Sequence, residues 1–201
     1  MTKQLITIYT LLIGFLFLGC HPKGLEFEVD EDIVVTKYNE KYDFNAQSTY
    51  AIPDKIIAIK DTLKEGEVPT FIADTYASKI LARIASNMKS LGYERVGIDA
   101  NPDIILVSAS WQKTTLYYNY WFFWLGDRYS FSGYPVIDEN EYQTGTLLML
   151  IFNPKETNDN GVPSALWTGA INGLFAGIFS DARVNKSIDQ AFTQSPYLIT
   201  N

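Results

Sequence analysis

Apolar residues recur every three or four positions between Thr70 and Leu91, which is the spacing of one helix face. Thr70 is suited to cap the first turn, and Gly92 is suited to end the last one. The pattern predicts an amphipathic helix over residues 70–91, and its buried stripe consists of Ile72, Tyr76, Ile80, Ile84, Met88 and Leu91.

A second helix is predicted over residues 180–193, where Ser180 can cap the first turn. Pro196 follows at a point where the helix has already ended. The face predicted to be buried contains Val184, Ile188, Ala191 and Phe192.

Apolar runs predict strands over residues 103–111, 145–152 and 165–171. The run over 145–152 is apolar on both faces, so this strand should be central in a sheet. The loop 153–163 suits an antiparallel hairpin with a long tip. Weaker patterns predict strands over 27–38 and around 49–59, and the acids from Glu26 to Asp32 are interpreted as a solvated face.

This order of elements predicts an α+β fold. Two helices with one apolar stripe each can cover one face of a sheet. We expect a two-layer sandwich with a mostly antiparallel sheet of four to six strands and both helices on one face. The domain should span residues 26–201 and carry an aromatic-rich insertion at about 112–142.

The first 20 residues have the composition of a secretory signal. Lys3 precedes an apolar run, and Gly19 is a small residue directly before Cys20. Cys20 resembles the lipidated cysteine of the bacterial lipoprotein lipobox, which implies a cleaved signal peptide (1–19), a lipidated tether (20–25) and attachment of palmitate. The expected location is the cell envelope, as an outer membrane lipoprotein. An uncut membrane anchor and a free buried cysteine are the alternatives.

Composition limits the partners and the catalytic or metal sites that we expect. Removal of Lys3 with the signal leaves 15 basic and 23 acidic side chains and a net charge of −8, which disfavours nucleic acid as a partner. The only histidine, His21, lies on the tether, so we expect no catalytic residues of the Ser-His-Asp or Cys-His kind, no zinc site and no cofactor.

The segment after Trp111 is unusually aromatic. Three interpretations remain open: the rings fold back onto the domain, form an exposed platform for glycans or another envelope component, or enter the bilayer interface. The candidate binding patch consists of Tyr117, Tyr118, Tyr120, Trp121, Trp124, Tyr129 and Tyr134. Asp138 and Glu141 follow, and a carboxylate-based hydrolase of envelope glycans near Trp121 and Trp124 is the alternative function.

Several segments together resemble one family, the envelope lipoproteins that carry domain of unknown function 4136, with a source among Bacteroidetes. The segments are Tyr42–Phe44, Thr49–Ala51, Leu91–Tyr93, Asn101–Val107, Gly145–Leu150 and Leu166–Ala170. The resemblance implies an α+β lipoprotein domain and supplies no catalytic residue. We therefore expect a non-enzymatic, lipid-anchored envelope protein with a binding or structural role, whose partner beyond the membrane is an envelope protein or glycan.

Overall fold

The strand-forming runs of the sequence come together in one sheet. The computed structural model describes residues 32–59, 70–111, 145–157, 163–175 and 179–200, all within a unit that spans residues 32–201. The helices are α1 (Asp74–Ser90) and α2 (Asp181–Thr193). The strands are β1 (Ile33–Tyr38), β2 (Thr49–Ala51), β3 (Ile57–Ile59), β4 (Thr70–Phe71), β5 (Glu94–Arg95), β6 (Ile104–Trp111), β7 (Thr146–Phe152) and β8 (Trp167–Asn172).

The sheet is mixed, with an antiparallel centre. Its order is β1-β8-β7-β6-β2-β5, and β3 pairs with both β6 and β4. Pairs β1–β8, β8–β7, β7–β6 and β3–β4 are antiparallel, whereas β2 and β3 lie parallel to β6 and β5 lies parallel to β2. The α+β prediction and the β7–β8 hairpin are confirmed. The predicted strand number was too low, because strands of two or three residues are too short to show a periodicity.

Strand register defines two ends of the sheet. Ile33 pairs with Asn172 and Trp111 pairs with Thr146, so these residues lie together at what we call the Asp32 end. Tyr38 pairs with Trp167 and Ile105 pairs with Phe152 at the opposite end, which we call the Asp103 end. Eight residues of β6 separate the ends by about 23 Å, since a strand rises by about 3.3 Å per residue.

Both helices pack on the same face of the sheet. Their apolar residues share one core with alternate residues of the central strands, and each large side chain buried there contributes roughly 2 kcal/mol. The alternate residues on the second face are buried as well, which explains the apolar character of β7 on both sides; they include Ile105, Val107, Leu148, Leu150 and Phe152.

The first helix begins later than its pattern predicts. Thr70 belongs to β4, where its Oγ1 donates to the carbonyl of Ala58 at 2.8 Å, so it does not cap α1. Tyr76 is 45% exposed, although helical spacing placed it on the buried stripe. Ser180 occupies the N-cap position of α2 but makes no capping hydrogen bond through its side chain.

Two glycines have structural roles that the sequence indicates. Gly92 ends α1 with φ of +98°, a left-handed conformation that favours glycine. Gly169 lies beside the fully buried Trp167, and a Cβ at Gly169 would come within 2.5 Å of the indole Cη2. The close packing of this indole therefore requires glycine two residues further along the same strand.

Candidate functional site

The residues that the sequence singles out for function lie outside the described residues. This holds for Cys20 and His21, for the whole aromatic patch from Tyr117 to Tyr134, and for Asp138 and Glu141. The polar clusters formed by the described residues were therefore not predicted as sites from the sequence.

The most elaborate polar cluster surrounds Asp103, directly before β6. One carboxylate oxygen, Oδ2, accepts hydrogen bonds from the backbone amides and the hydroxyls of Ser48 and Thr49, at 2.7–3.3 Å. The other, Oδ1, accepts from Lys155 Nζ at 3.2 Å. An aspartate before a strand commonly bonds amides near it in the chain. The partners of Asp103 are instead about 50 residues away: Thr49 is on β2, Ser48 directly precedes β2, and Lys155 is on the loop after β7.

These contacts set the protonation state of Asp103. Partial burial would by itself raise the pKa of this carboxyl, but the hydrogen bonds from Thr49, Ser48 and Lys155 together hold its pKa well below the usual range. A general acid or base works best with a pKa near the operating pH. Asp103 stays ionised at neutral pH, and its chemistry suits a structural clamp between β2, β6 and the loop after β7.

The phenol of Tyr42, which lies near Asp103, stays protonated. Asn153 donates from Nδ2 to Tyr42 Oη at 3.2 Å and to Glu156 Oε1 at 2.9 Å. Burial raises the pKa of Tyr42 to about 12, and the nearby carboxylates of Glu156 and Asp103 contribute in the same direction. Tyr42 is therefore protonated at neutral pH and poorly suited to act as a base.

The second cluster is an ion pair between Asp32 and Arg183. Only 1% of the Asp32 side chain and 14% of the Arg183 side chain are exposed. Asp32 Oδ2 also accepts from Ser187 Oγ at 2.7 Å, and Arg183 Nη2 donates to the carbonyl of Gly173 at 2.8 Å. The interpretation of Asp32 as part of a solvated acidic face was wrong, because this carboxylate closes the junction between β1 and α2.

A signal for this pair was present in the sequence but ambiguous. Arg183 and Ser187 are four residues apart, which places both on one face of α2 next to its apolar stripe. Such a spacing indicates that both side chains point toward the sheet. It does not identify their partner, which is 151 residues from Arg183 along the chain.

Ion pairs also join α1 and α2 on the solvent-facing side of the two helices. Asp189 on α2 accepts from Arg83 Nε at 2.6 Å and from Asn87 Nδ2 at 2.8 Å. The contact with Arg83 is the main reason why the pKa of Asp189 is lowered. Asp181 accepts from Lys79 Nζ at 2.7 Å. These contacts fix α1 parallel to α2.

Two shallow grooves are formed by described residues. One, of about 290 Å³, lies between the helices and includes Lys79, Arg83 and Asp181. The other, of about 460 Å³, lies beside β5 and includes Asp54 and Arg95. Each groove has a single carboxylate in its lining, whereas glycoside hydrolysis generally needs two carboxylates facing each other.

The described residues form neither a cluster suited to a metal ion nor a helix suited to span a membrane. Among residues 32–59, 70–111, 145–157, 163–175 and 179–200, no group of three or more His, Cys, Asp or Glu residues could hold a metal ion. Neither α1 nor α2 is long and apolar enough to cross a bilayer.

Comparison with solved structures finds a protein with a similar fold and also weaker matches. A DUF4136 family protein from Bacteroides thetaiotaomicron is 24% identical with a TM-score of 0.66, covering 84% of this chain and 98% of its own. PelC from Paraburkholderia phytofirmans, solved as a dodecamer, is 7% identical with a TM-score of 0.41, covering 85% and 99%. A PDZ domain protein from Parabacteroides distasonis is 16% identical with a TM-score of 0.43, covering 83% and 36%. The last two are too dissimilar to bear on the fold.

A match to a family model identifies the family of this chain. A search of curated proteins gives no match. A family model described as a domain of unknown function matches residues 34–197, which include every described strand and helix apart from the first residue of β1. The chain belongs to the DUF4136 family.

Proposed function

We propose that this protein is a lipid-anchored domain of the bacterial cell envelope with a non-enzymatic, binding or structural role. The observation that carries the proposal is the order of Lys3, an apolar run, Gly19 and Cys20 at the start of the chain. Acyl chains on Cys20 contribute about 0.8 kcal/mol per buried methylene, and more than one chain makes attachment stable. We place the anchor in the outer membrane.

The described polar residues support the non-enzymatic part of the proposal. Asp32, Asp103 and Asp189 each accept several hydrogen bonds from other elements of the fold. The two described tyrosines with clearly raised pKa values next to Asp103, Tyr42 and Tyr93, owe the shift first to burial. These five ionisable groups therefore stabilise the fold and are poorly placed for proton transfer to a substrate.

Metabolic labelling tests the anchor. Cells that produce the wild-type protein, Cys20→Ala or His21→Ala would be grown with labelled palmitate. We expect label in the wild type and in His21→Ala and none in Cys20→Ala, because Cys20 is the only cysteine. Density-gradient fractionation of the labelled cells would then show the protein with the outer membrane. Equal labelling of Cys20→Ala and the wild type would contradict the anchor.

A further inference from the structure

Two segments of functional interest join the described structure at the same end of the sheet. The chain from Cys20 reaches β1 through Asp32, at the Asp32 end. The aromatic segment follows Trp111, the last residue of β6, and the chain returns at Gly145, before β7, also at the Asp32 end. Strand register therefore places both attachment points of the aromatic segment at the same end of the sheet as the start of β1.

The described surface at this end offers exposed apolar side chains. Ile33, the first residue of β1, is 57% exposed. Tyr76, in the first turn of α1, is 45% exposed, and its ring lies 4.5 Å from that of Phe179, which shortly precedes α2. Lys79 contacts Asp181, the first residue of α2, so both helices begin on this side of the domain.

The tether limits how far this end can be from a membrane. Eleven residues, 21–31, separate Cys20 from Asp32, and a fully extended chain of that length spans at most about 40 Å. Trp111 and Gly145, which flank the aromatic segment, both lie at this end, and residues 112–134 of that segment include ten aromatic and only three charged residues. Tyrosine and tryptophan are enriched where a bilayer meets water.

We infer that the Asp32 end of the domain faces the bilayer and contacts the lipid interface, with Ile33 and Tyr76 on the lipid-facing surface. The inference rests on the proposed lipid anchor and adds an orientation to it. The partner is a zwitterionic lipid surface, because a net charge of −8 after removal of the signal works against docking on anionic lipid. The Asp103 end then faces away from the membrane.

Matched probes test this orientation. Ile33→Cys carries a fluorophore at the Asp32 end. Ile199→Cys carries it at the Asp103 end, because the nearby Tyr197 stacks on Tyr38. These two isoleucine side chains are 57% and 53% exposed. Acylation occupies Cys20, so each variant has one free thiol. The acylated full chain is reconstituted into phosphatidylcholine vesicles whose acyl chains are brominated. We expect quenching of the probe at position 33 to be severalfold stronger than at position 199.

A second pair of cysteine variants controls for an effect that is confined to β1. Tyr76→Cys and Tyr38→Cys replace tyrosines that are 45% and 41% exposed at the Asp32 and Asp103 ends, respectively. Stronger quenching at position 76 would support the orientation. Equal quenching at the two ends, stronger quenching at the Asp103 end, or none at either end would overturn it while leaving the anchor intact. Failure of the anchor itself is detected separately, by palmitate label that persists in Cys20→Ala.

Discussion

Single residues in this fold are constrained by contacts with residues far along the chain. Trp167 is fully buried against Phe192, with ring centroids 5.5 Å apart, and its Nε1 donates to Ser195 Oγ at 2.8 Å. A tryptophan within an apolar run is expected to fill the core, and a nearby glycine permits close packing. The hydroxyl that satisfies the indole could not be inferred, because Ser195 follows the second helix and reaches β8 only in the folded chain.

Gly169→Ala should destabilise the protein. The new Cβ would lie 2.5 Å from Trp167 Cη2 and 3.1 Å from Met149 Cε, and overpacking of this kind costs about 1–3 kcal/mol. Urea denaturation of the domain measures the change. Gly97→Ala is the control, because no atom lies within 4 Å of its Cβ position and its φ of −66° suits alanine. Equal stability of the two variants would contradict the packing argument.

Asp103→Asn should remove stability in a pH-dependent way. Hydrogen bonds to a charged group contribute about 1.5–3 kcal/mol, so we expect a loss of about 2 kcal/mol at pH 7. The folded-state pKa of Asp103 is lowered, so its stabilisation is present above the unfolded-state pKa of about 3.9 and is lost as the pH falls through the folded-state pKa.

Urea denaturation across pH separates this effect from a general loss of stability. The difference between the wild type and Asp103→Asn should be constant near neutral pH and shrink below about pH 4. Asp54→Asn changes an exposed carboxylate and serves as the control. A difference that is independent of pH down to acid denaturation would show that the charge of Asp103 is not responsible.

At the scale of elements, periodicity predicts long elements well and short ones poorly. The stripe that predicted α1 includes Ile80, Ile84 and Met88, all fully buried. The helix begins at Asp74 because Thr70 and Phe71 pair with β3 instead. A two-residue strand has no period to detect, and its pairing depends on which strand is adjacent in space.

The Asp32–Arg183 pair should dominate the stability of the β1–α2 junction. Arg183→Met would leave the buried Asp32 carboxylate without its guanidinium, and loss of one partner in a buried pair costs about 3–5 kcal/mol. The double variant Asp32→Asn with Arg183→Met should lose less than Arg183→Met alone, since no uncompensated charge remains buried. Thermal or urea unfolding of the three proteins measures the difference.

The exposed ion pair between α1 and α2 provides the control. Lys79 and Asp181 are 54% and 56% exposed, so Lys79→Met should change the free energy of unfolding by only about 0–1 kcal/mol. If Arg183→Met were as mild as Lys79→Met, the Asp32 carboxylate would not depend on its partner, and this ion pair would not be what stabilises the β1–α2 junction.

For the orientation of the whole molecule at a membrane, the connectivity of the strands is more informative than the composition. An acidic domain has little attraction for an anionic surface, so any contact with lipid has to come from acyl chains and apolar side chains. Composition alone left three interpretations of the aromatic segment open. The register of β1, β6, β7 and β8 brings its attachment points to the end of the sheet where β1 begins, and this shared position is the basis of the proposed orientation toward the bilayer.

The sequence by itself determined the elements whose signals are local: two amphipathic helices, the apolar runs of β6, β7 and β8, and the turn at Gly92. Each signal is contained in consecutive or periodically spaced residues, so no knowledge of distant neighbours is needed. Tertiary structure alone decided which acids are buried, where the two-residue strands pair, and which segments share the Asp32 end. Those features depend on contacts between residues that are 12 to about 150 positions apart, and such contacts leave no periodic trace in the chain.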